Sequence, residues 1–310
     1  MKSFQIGVAQ PKSTSAVVYS NTLSTGYYSV PGAGEEWIDY GSARDLSPLA
    51  EHGTVIYGSL GYATSGVTGP IVRWRTYDGY TGGCTSLSPG GLDVSISGLP
   101  GHIFTTGGTG WTVGLNLAGA GACFYLPTGP FGYSMTFSDS VSGPLLDSGD
   151  SSANRFDWIF ASTGSCGTYW FGGSPWAGFY TEFIGWKTAD SAGLGANGPI
   201  ALSLAGNSCP GGALTVSLAS TPPAAYSAVG LGVVIGAGIG GPLPGGVAWD
   251  IGLAPGVPPI SVILGLFPGT ISFPATTPAG AAAGAVFAFQ WVQKVGPVVS
   301  TSNVAVLFVP

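Results

Sequence analysis

The chain reads as all-β: an antiparallel, jelly-roll-like β-sandwich domain followed by a smaller Gly/Pro-rich β-sandwich domain. Three observations predict this. The residues that usually coat helix surfaces are scarce, with Glu, Lys and Arg totalling 12 of 310. Gly and Pro total 78, a quarter of the chain. Between them stand short runs rich in Val, Ile, Thr, Tyr and Phe. Short strands between turn residues at regular spacing are the pattern of sandwiches and barrels.

The elements follow in order. At the N-terminus Phe4, Ile6 and Val8 alternate on one face of a strand. Further strands are expected around 17–19, 26–30, 54–63, 70–77, 92–97, 111–117, 122–126, 132–138, 155–161, 167–172 and 178–187. In "IVRWRTY" the polar Arg73, Arg75 and Tyr77 alternate with Val72, Trp74 and Thr76, which marks a half-buried strand. The small polar stretch "TADSAGLGANGP" (188–199) reads as a linker, giving domains at 1–190 and 200–310. The second domain is expected to form strands around 201–204, 213–219, 228–235, 247–253, 260–266, 285–293 and 303–309. Both faces of "AVFAFQWVQ" are nearly apolar, as in a strand covered on both sides. The Ala-rich segment 275–286 is the one place where a short helical turn is expected.

Composition narrows the function classes. Charged residues make up 7%, and the net charge of -6 leaves no basic patch for nucleic acid. Apolar runs are broken by Gly and Pro before they reach the roughly 20 residues of a membrane-spanning helix, so the chain is not expected to span a membrane. The 37 aromatic residues and a hydrophobic fraction of 45% argue against disorder. Cys84, Cys123, Cys166 and Cys209 form no C-x-x-C pair, and an even, widely spaced set suits disulfides in an oxidising compartment. Lys2 and the small residues before Gln10 look like the end of a secretory signal without its apolar region, so a secreted chain with a truncated or removed signal is expected.

"VVIGAGIGG" (233–241) carries a G-x-G-x-x-G frame. A dinucleotide site needs a helix immediately after it and an acid about 20 residues on. Pro244 and Gly245-Gly246 end any helix within a turn, and Asp250 comes too soon. No dinucleotide is expected.

Candidate chemistry is sparse. There are two histidines, His52 and His102, and no G-x-S-x-G, so a serine hydrolase is not favoured. The acids of "EEWIDY" (Glu35, Glu36, Asp39) and of "DSGDSSANRFD" (Asp147, Asp150, Asp157) look loop-like. A solvated loop is the first reading. A calcium site built from Glu35, Asp39, Asp147, Asp150 and Asp157 is the second, because clustered oxygen ligands suit that cation. Glycoside hydrolysis by paired carboxylates is the third. Residues 156–186 hold 11 aromatics in 31 positions. They read first as core rings and second as a sugar-stacking platform with Trp170, Trp176 and Tyr180 as candidates.

Several stretches resemble secreted two-domain β-rich proteins of planctomycete-type bacteria. They are "VVYSNTLSTGYYSVPGAGEEWIDYG" (17–41), "GSLGYATS" (58–65), "GPFGYSMTFSDSVSGPLL" (129–146), "CGTYWFGGSPWAGFYTEF" (166–183) and "GNSCPGGALTVSLASTPP" (206–223). The Gly/Pro-rich "LAPGVPPISV" near the C-terminus is similar to a small domain that often ends such chains. The resemblance covers most of the chain and implies export and a two-part β architecture, with no activity attached. Where such a domain often has a Cys to pair with its early Cys, this chain has Val257. The resemblance thus leaves Cys209 to pair with Cys166, to stay free or to link two chains.

Three functions compete at this point. The leading expectation is an extracellular, non-catalytic binding module, with polysaccharide as the candidate ligand. The second is a self-assembling subunit of an extracellular filament or layer, whose partner is a copy of itself through exchange of terminal strands. The third is a carboxylate-based glycoside hydrolase.

Overall fold

The computed structural model describes residues 2–6, 15–43, 53–147, 155–170, 178–186, 189–192, 200–220, 226–233, 260–264, 270–277, 279, 286–295 and 298–309. All regular elements among them are strands, as the Gly/Pro punctuation predicts. The chain divides into two compact units, Met1–Trp186 and Lys187–Pro310.

The first unit runs through β1 (Lys2–Ile6), β2 (Ser15–Asn21), β3 (Ser24–Tyr28), β4 (Glu36–Ala43), β5 (Thr54–Thr64), β6 (Val72–Asp78), β7 (Ser88–Ile96) and β8 (Thr109–Asn116). It continues with β9 (Phe124–Tyr125), β10 (Gly129–Phe137), β11 (Ser142–Asp147), β12 (Arg155–Ile159), β13 (Cys166–Trp170), β14 (Gly178–Phe179) and β15 (Thr181–Trp186). One sheet has the order β1-β8-β5-β11-β14, with β9 and β15 also on β5, β2 on β15 and β3 on β11. The other has the order β13-β12-β4-β10-β6-β7. Within the first unit the pairings are antiparallel, except that β1 lies parallel to β8.

The two sheets share one aromatic core. Strand alternation turns Trp74 of β6, Tyr133 of β10 and Phe156 of β12 inward to meet Leu60, Phe179 and Phe183 of the other sheet. Trp74 stacks on Phe183 with ring centroids 5.0 Å apart and planes at 15°. A Cβ at Gly58 would lie 2.6 Å from the Trp74 ring, so glycine there makes room for the indole. Each such ring, fully buried, contributes on the order of 1.5–3 kcal/mol.

Two expectations change. The stretch "EEWIDY" is not a solvated loop: Glu36 to Tyr40 belong to β4 and are all buried. Asp157 likewise sits inside β12 at 1% exposure. In both segments the acids take donors from other elements: Glu36 from Arg75, Tyr77 and Ser134, and Asp157 from Tyr80, the Cys84 amide and Thr168.

The second unit comprises β16 (Ala189–Ala192), β17 (Ile200–Gly206), β18 (Ala213–Ser220), β19 (Tyr226–Val233), β20 (Ile260–Leu264), β21 (Thr270–Thr276), β22 (Val286–Val295) and β23 (Val298–Phe308). Its antiparallel sheets run β16-β23-β22-β19-β20 and β17-β18-β21. In β18 the alternating Leu214 and Val216 are buried while Ala213, Thr215 and Ala205 across from Thr215 are exposed. The expected strand at 247–253 and the end of the G-x-G-x-x-G stretch lie outside the described residues. Of the Ala-rich segment, Ala275 and Thr276 close β21, and most of the rest is also outside them.

Cys84 and Cys166 form a disulfide with Cα atoms 5.7 Å apart. Cys123 and Cys209 are also disulfide-bonded, so no cysteine is a free thiol. Of the fates left open for Cys209, pairing with Cys166 and a free thiol are thereby removed. Disulfides suit an oxidising environment. Among the described residues no helix is long and apolar enough to cross a membrane, which leaves strand-built spans untouched.

Candidate functional site

The outward face of the six-stranded sheet carries most of the chain's described polar chemistry. Its pattern follows from register. Asp157 is directly opposite Ile38 and Thr168, and Arg155 is opposite Trp170. The loop between β6 and β7 folds over this face. Tyr80, fully buried, sits on Gly132, where a Cβ would approach its ring to 2.7 Å. Cys84 holds a left-handed φ of 54° in that loop and is bonded to Cys166 of β13.

Beneath the loop the acids are fully engaged. Asp157 accepts hydrogen bonds from the Tyr80 hydroxyl, the Cys84 amide at 3.1 Å and Thr168 Oγ1 at 2.6 Å. Glu36 is ion-paired with Arg75 and accepts from Tyr77 and Ser134 hydroxyls, each at 2.5 Å. Asp39 points the other way, into the core. It accepts from the Tyr133 hydroxyl at 2.7 Å and from the amides of Phe179 and Tyr40, each at 2.8 Å. Burial, reinforced by these carboxylates, holds the phenols of Tyr77, Tyr80 and Tyr133 well above their ordinary range.

This geometry separates the residues of the calcium reading. Asp39 and Asp157 lie on opposite faces of one sheet and do not converge on a single ion. Glu35 is occupied by the Trp158 indole N–H at 2.6 Å and the Ala161 amide at 3.0 Å. Asp147 ends β11 in the other sheet, and Asp150 lies outside the described residues. Among the described residues, no three His, Cys, Asp or Glu side chains gather as a metal group. His102 bonds Thr109 Oγ1 through Nδ1 at 2.8 Å, and His52 is outside the described residues.

The β12–β13 hairpin presents a different surface. β13 is the terminal strand of its sheet. Trp170 is 64% exposed, Tyr169 48% and Phe160 36%. On the inward side, Phe160 stacks on Trp158 and Tyr169 packs near Phe156, so the core's aromatic ladder continues to the edge. On the outward side, the Arg155 guanidinium lies 5.3 Å from the Trp170 ring and 5.4 Å from the Tyr40 ring. Its Nε donates to the Tyr40 hydroxyl at 2.8 Å, which fixes the plane of the group.

Of the three expected ring candidates, Trp170 stands at this edge. Tyr180 does not join it, because it packs on Gly61 of the other sheet and its backbone bonds Gly61 and Leu145 there. Trp176 lies outside the described residues. Arg155 and Tyr40 are the residues that the sequence reading missed. Arg155 is the one Lys or Arg between Arg75 and Lys187 and stands at the start of the aromatic-rich stretch, which is the signal that could have found it.

No family model matches the chain. No curated protein matches it either. Solved structures that it resembles include a Parabacteroides merdae β-glucuronidase with glycerol in its active site, at 10% identity and a TM-score of 0.23. The match covers 94% of this chain and 36% of that one. A second structure of Parabacteroides merdae β-glucuronidase gives 11% identity and a TM-score of 0.23, over 94% of this chain and 30% of that one. The chain thus spans about a third of those enzymes, and likeness at this level carries no functional argument.

Proposed function

We propose that the protein is an extracellular, non-catalytic β-sandwich binding module that holds a glycan at the β12–β13 edge. The observation that carries this is the exposed Trp170 indole held beside a fixed arginine. A flat apolar ring gives a sugar's C–H face a surface to stack on, and adjacent N–H donors orient its hydroxyls. The described candidate acids Glu35, Glu36, Asp39 and Asp157 are committed to internal donors, which weighs against a carboxylate hydrolase built on them. The two disulfides fit the extracellular setting. A glycan array with wild-type protein and Trp170→Ala tests the reading. Binding that the substitution abolishes supports it. Binding unaffected by the substitution places the glycan elsewhere and sinks this site.

One observation favours the self-assembling subunit as a second reading. β1 closes the path of the nine-stranded sheet as its parallel pairing, and a terminal edge strand can be donated to a neighbouring copy. Size exclusion and negative-stain electron microscopy test this. Filaments that vanish when residues 1–8 are removed support it, and monodisperse monomers at high concentration reject it.

A further inference from the structure

We propose that the edge selects acidic sugars: the ring stacks on Trp170 while the Arg155 fork binds the ligand's carboxylate or sulfate. This deepens the glycan reading above and rests on it. Three arginine side chains are described. Arg73 grips Asp93 through two bonds of 2.7 and 2.6 Å, and Arg75 is paired with Glu36. Arg155 has no carboxylate partner among the described residues. The nearest acid on its own strand face, Asp157, is already filled by Tyr80, Thr168 and the Cys84 amide.

Arg155 is nevertheless pre-organised. Tyr40 takes the Nε hydrogen, and the rings of Tyr40 and Trp170 lie within cation–π range. That leaves the two terminal amino groups, whose planar geometry suits a carboxylate or a sulfate. Positioning costs little entropy because the group is already held. A chain of net charge -6 does not attract polyanions as a whole, so capture of one requires a local cation of this kind.

The experiment measures binding of the full chain to polygalacturonate, to its fully methyl-esterified counterpart, to dextran sulfate and to dextran. The expected result is binding to at least one acidic polymer that exceeds its neutral counterpart by about 10–100-fold, the worth of one charge-assisted pair. Which polymer wins identifies the anion as carboxylate or sulfate. Arg155→Gln is expected to bring the acidic polymer down to the neutral level, while Trp170→Ala removes both. Tyr40→Phe keeps the charge but frees the fork, and a several-fold loss is expected even if Arg155→Gln fails to fold. Equal binding of acidic and neutral polymers overturns the acidic class and leaves the glycan reading standing. No binding to these four or to any arrayed glycan overturns the glycan reading itself.

Discussion

Asp157 and Arg155 stand two residues apart on one strand and one face, and they live in opposite circumstances. Asp157 is 1% exposed and receives three donors from a loop, a neighbouring strand and a main-chain amide. Arg155 is half-buried, makes one described hydrogen bond and spreads its charge between two rings. The first arrangement uses up a charged group's capacity and stiffens the sheet. The second holds a charged group in place and leaves its terminal amino groups without a carboxylate partner among the described residues. The contrast teaches where to look for function in this fold: at fixed groups with vacant valences, away from the enclosed acids that first draw attention.

The largest effect expected from the enclosed region is alkaline unfolding. Tyr77, Tyr80 and Tyr133 have folded pKa values raised above the ordinary 10.0, chiefly by burial. A raised folded value means that the native state holds its proton more tightly than the unfolded chain. Their stabilisation is complete below pH 10 and is lost as pH rises through the folded values. Tyrosinate absorbance should therefore rise together with the loss of near-ultraviolet circular dichroism. Ionisation of these tyrosines near pH 10 in a fold that persists contradicts the enclosure described above.

Next comes Asp39→Ala. It strands the amides of Phe179 and Tyr40 in the core, at about 1–3 kcal/mol for each unsatisfied group, and leaves the Tyr133 hydroxyl only its weaker bonds to the Phe179 carbonyl and the Tyr19 hydroxyl. A total loss above about 3 kcal/mol is expected in denaturant unfolding. A loss under 1 kcal/mol would mean that water reaches those groups and that the region is less closed than its burial implies.

A smaller effect is expected where the two regions are joined. The Cys84–Cys166 disulfide ties the covering loop to β13, the strand that carries Trp170. Replacing both cysteines by Ser is expected to cost about 2–4 kcal/mol, or roughly 5–15 °C in Tm. Glycan binding measured well below that Tm should weaken only slightly, because Arg155 remains held by β4 and β12. Complete loss of binding would show that the edge depends on the loop and that the two regions act as one.

Much of this fold is legible in local pattern. The expected strands at 54–63, 132–138, 155–161 and 213–219 overlap β5, β10, β12 and β18. β4 was not legible, because its acids flanked by Gly imitate a loop. The donors that keep Glu36 in a strand come from Arg75, Tyr77 and Ser134, which are 39, 41 and 98 residues away. β11 and β21 were hidden by Pro144 and Pro274. Pro274 is tolerated because β21 is the edge of its three-stranded sheet. At the site, the aromatic density pointed to Trp170. The partnership with Arg155 did not show, since it arises only when register sets Arg155 opposite Trp170 and Tyr40 beside it.

The smallest effect on stability is expected at Trp170, and it is the sharpest test of the contrast. The indole is 64% exposed at a strand end, so most of its area stays in water in the folded chain. Trp170→Ala removes one cation–π contact of an exposed kind, worth about 0.5–1 kcal/mol. Tm is expected to fall by no more than about 4 °C. The same substitution is expected to abolish glycan binding, because it takes away the only surface of the pair on which a sugar ring can lie flat. A residue that matters to binding and hardly to folding is kept for its ligand. A drop in Tm as large as that of the disulfide variant would instead make Trp170 a lid on the core's aromatic ladder, and the edge would join the enclosed acids as structure.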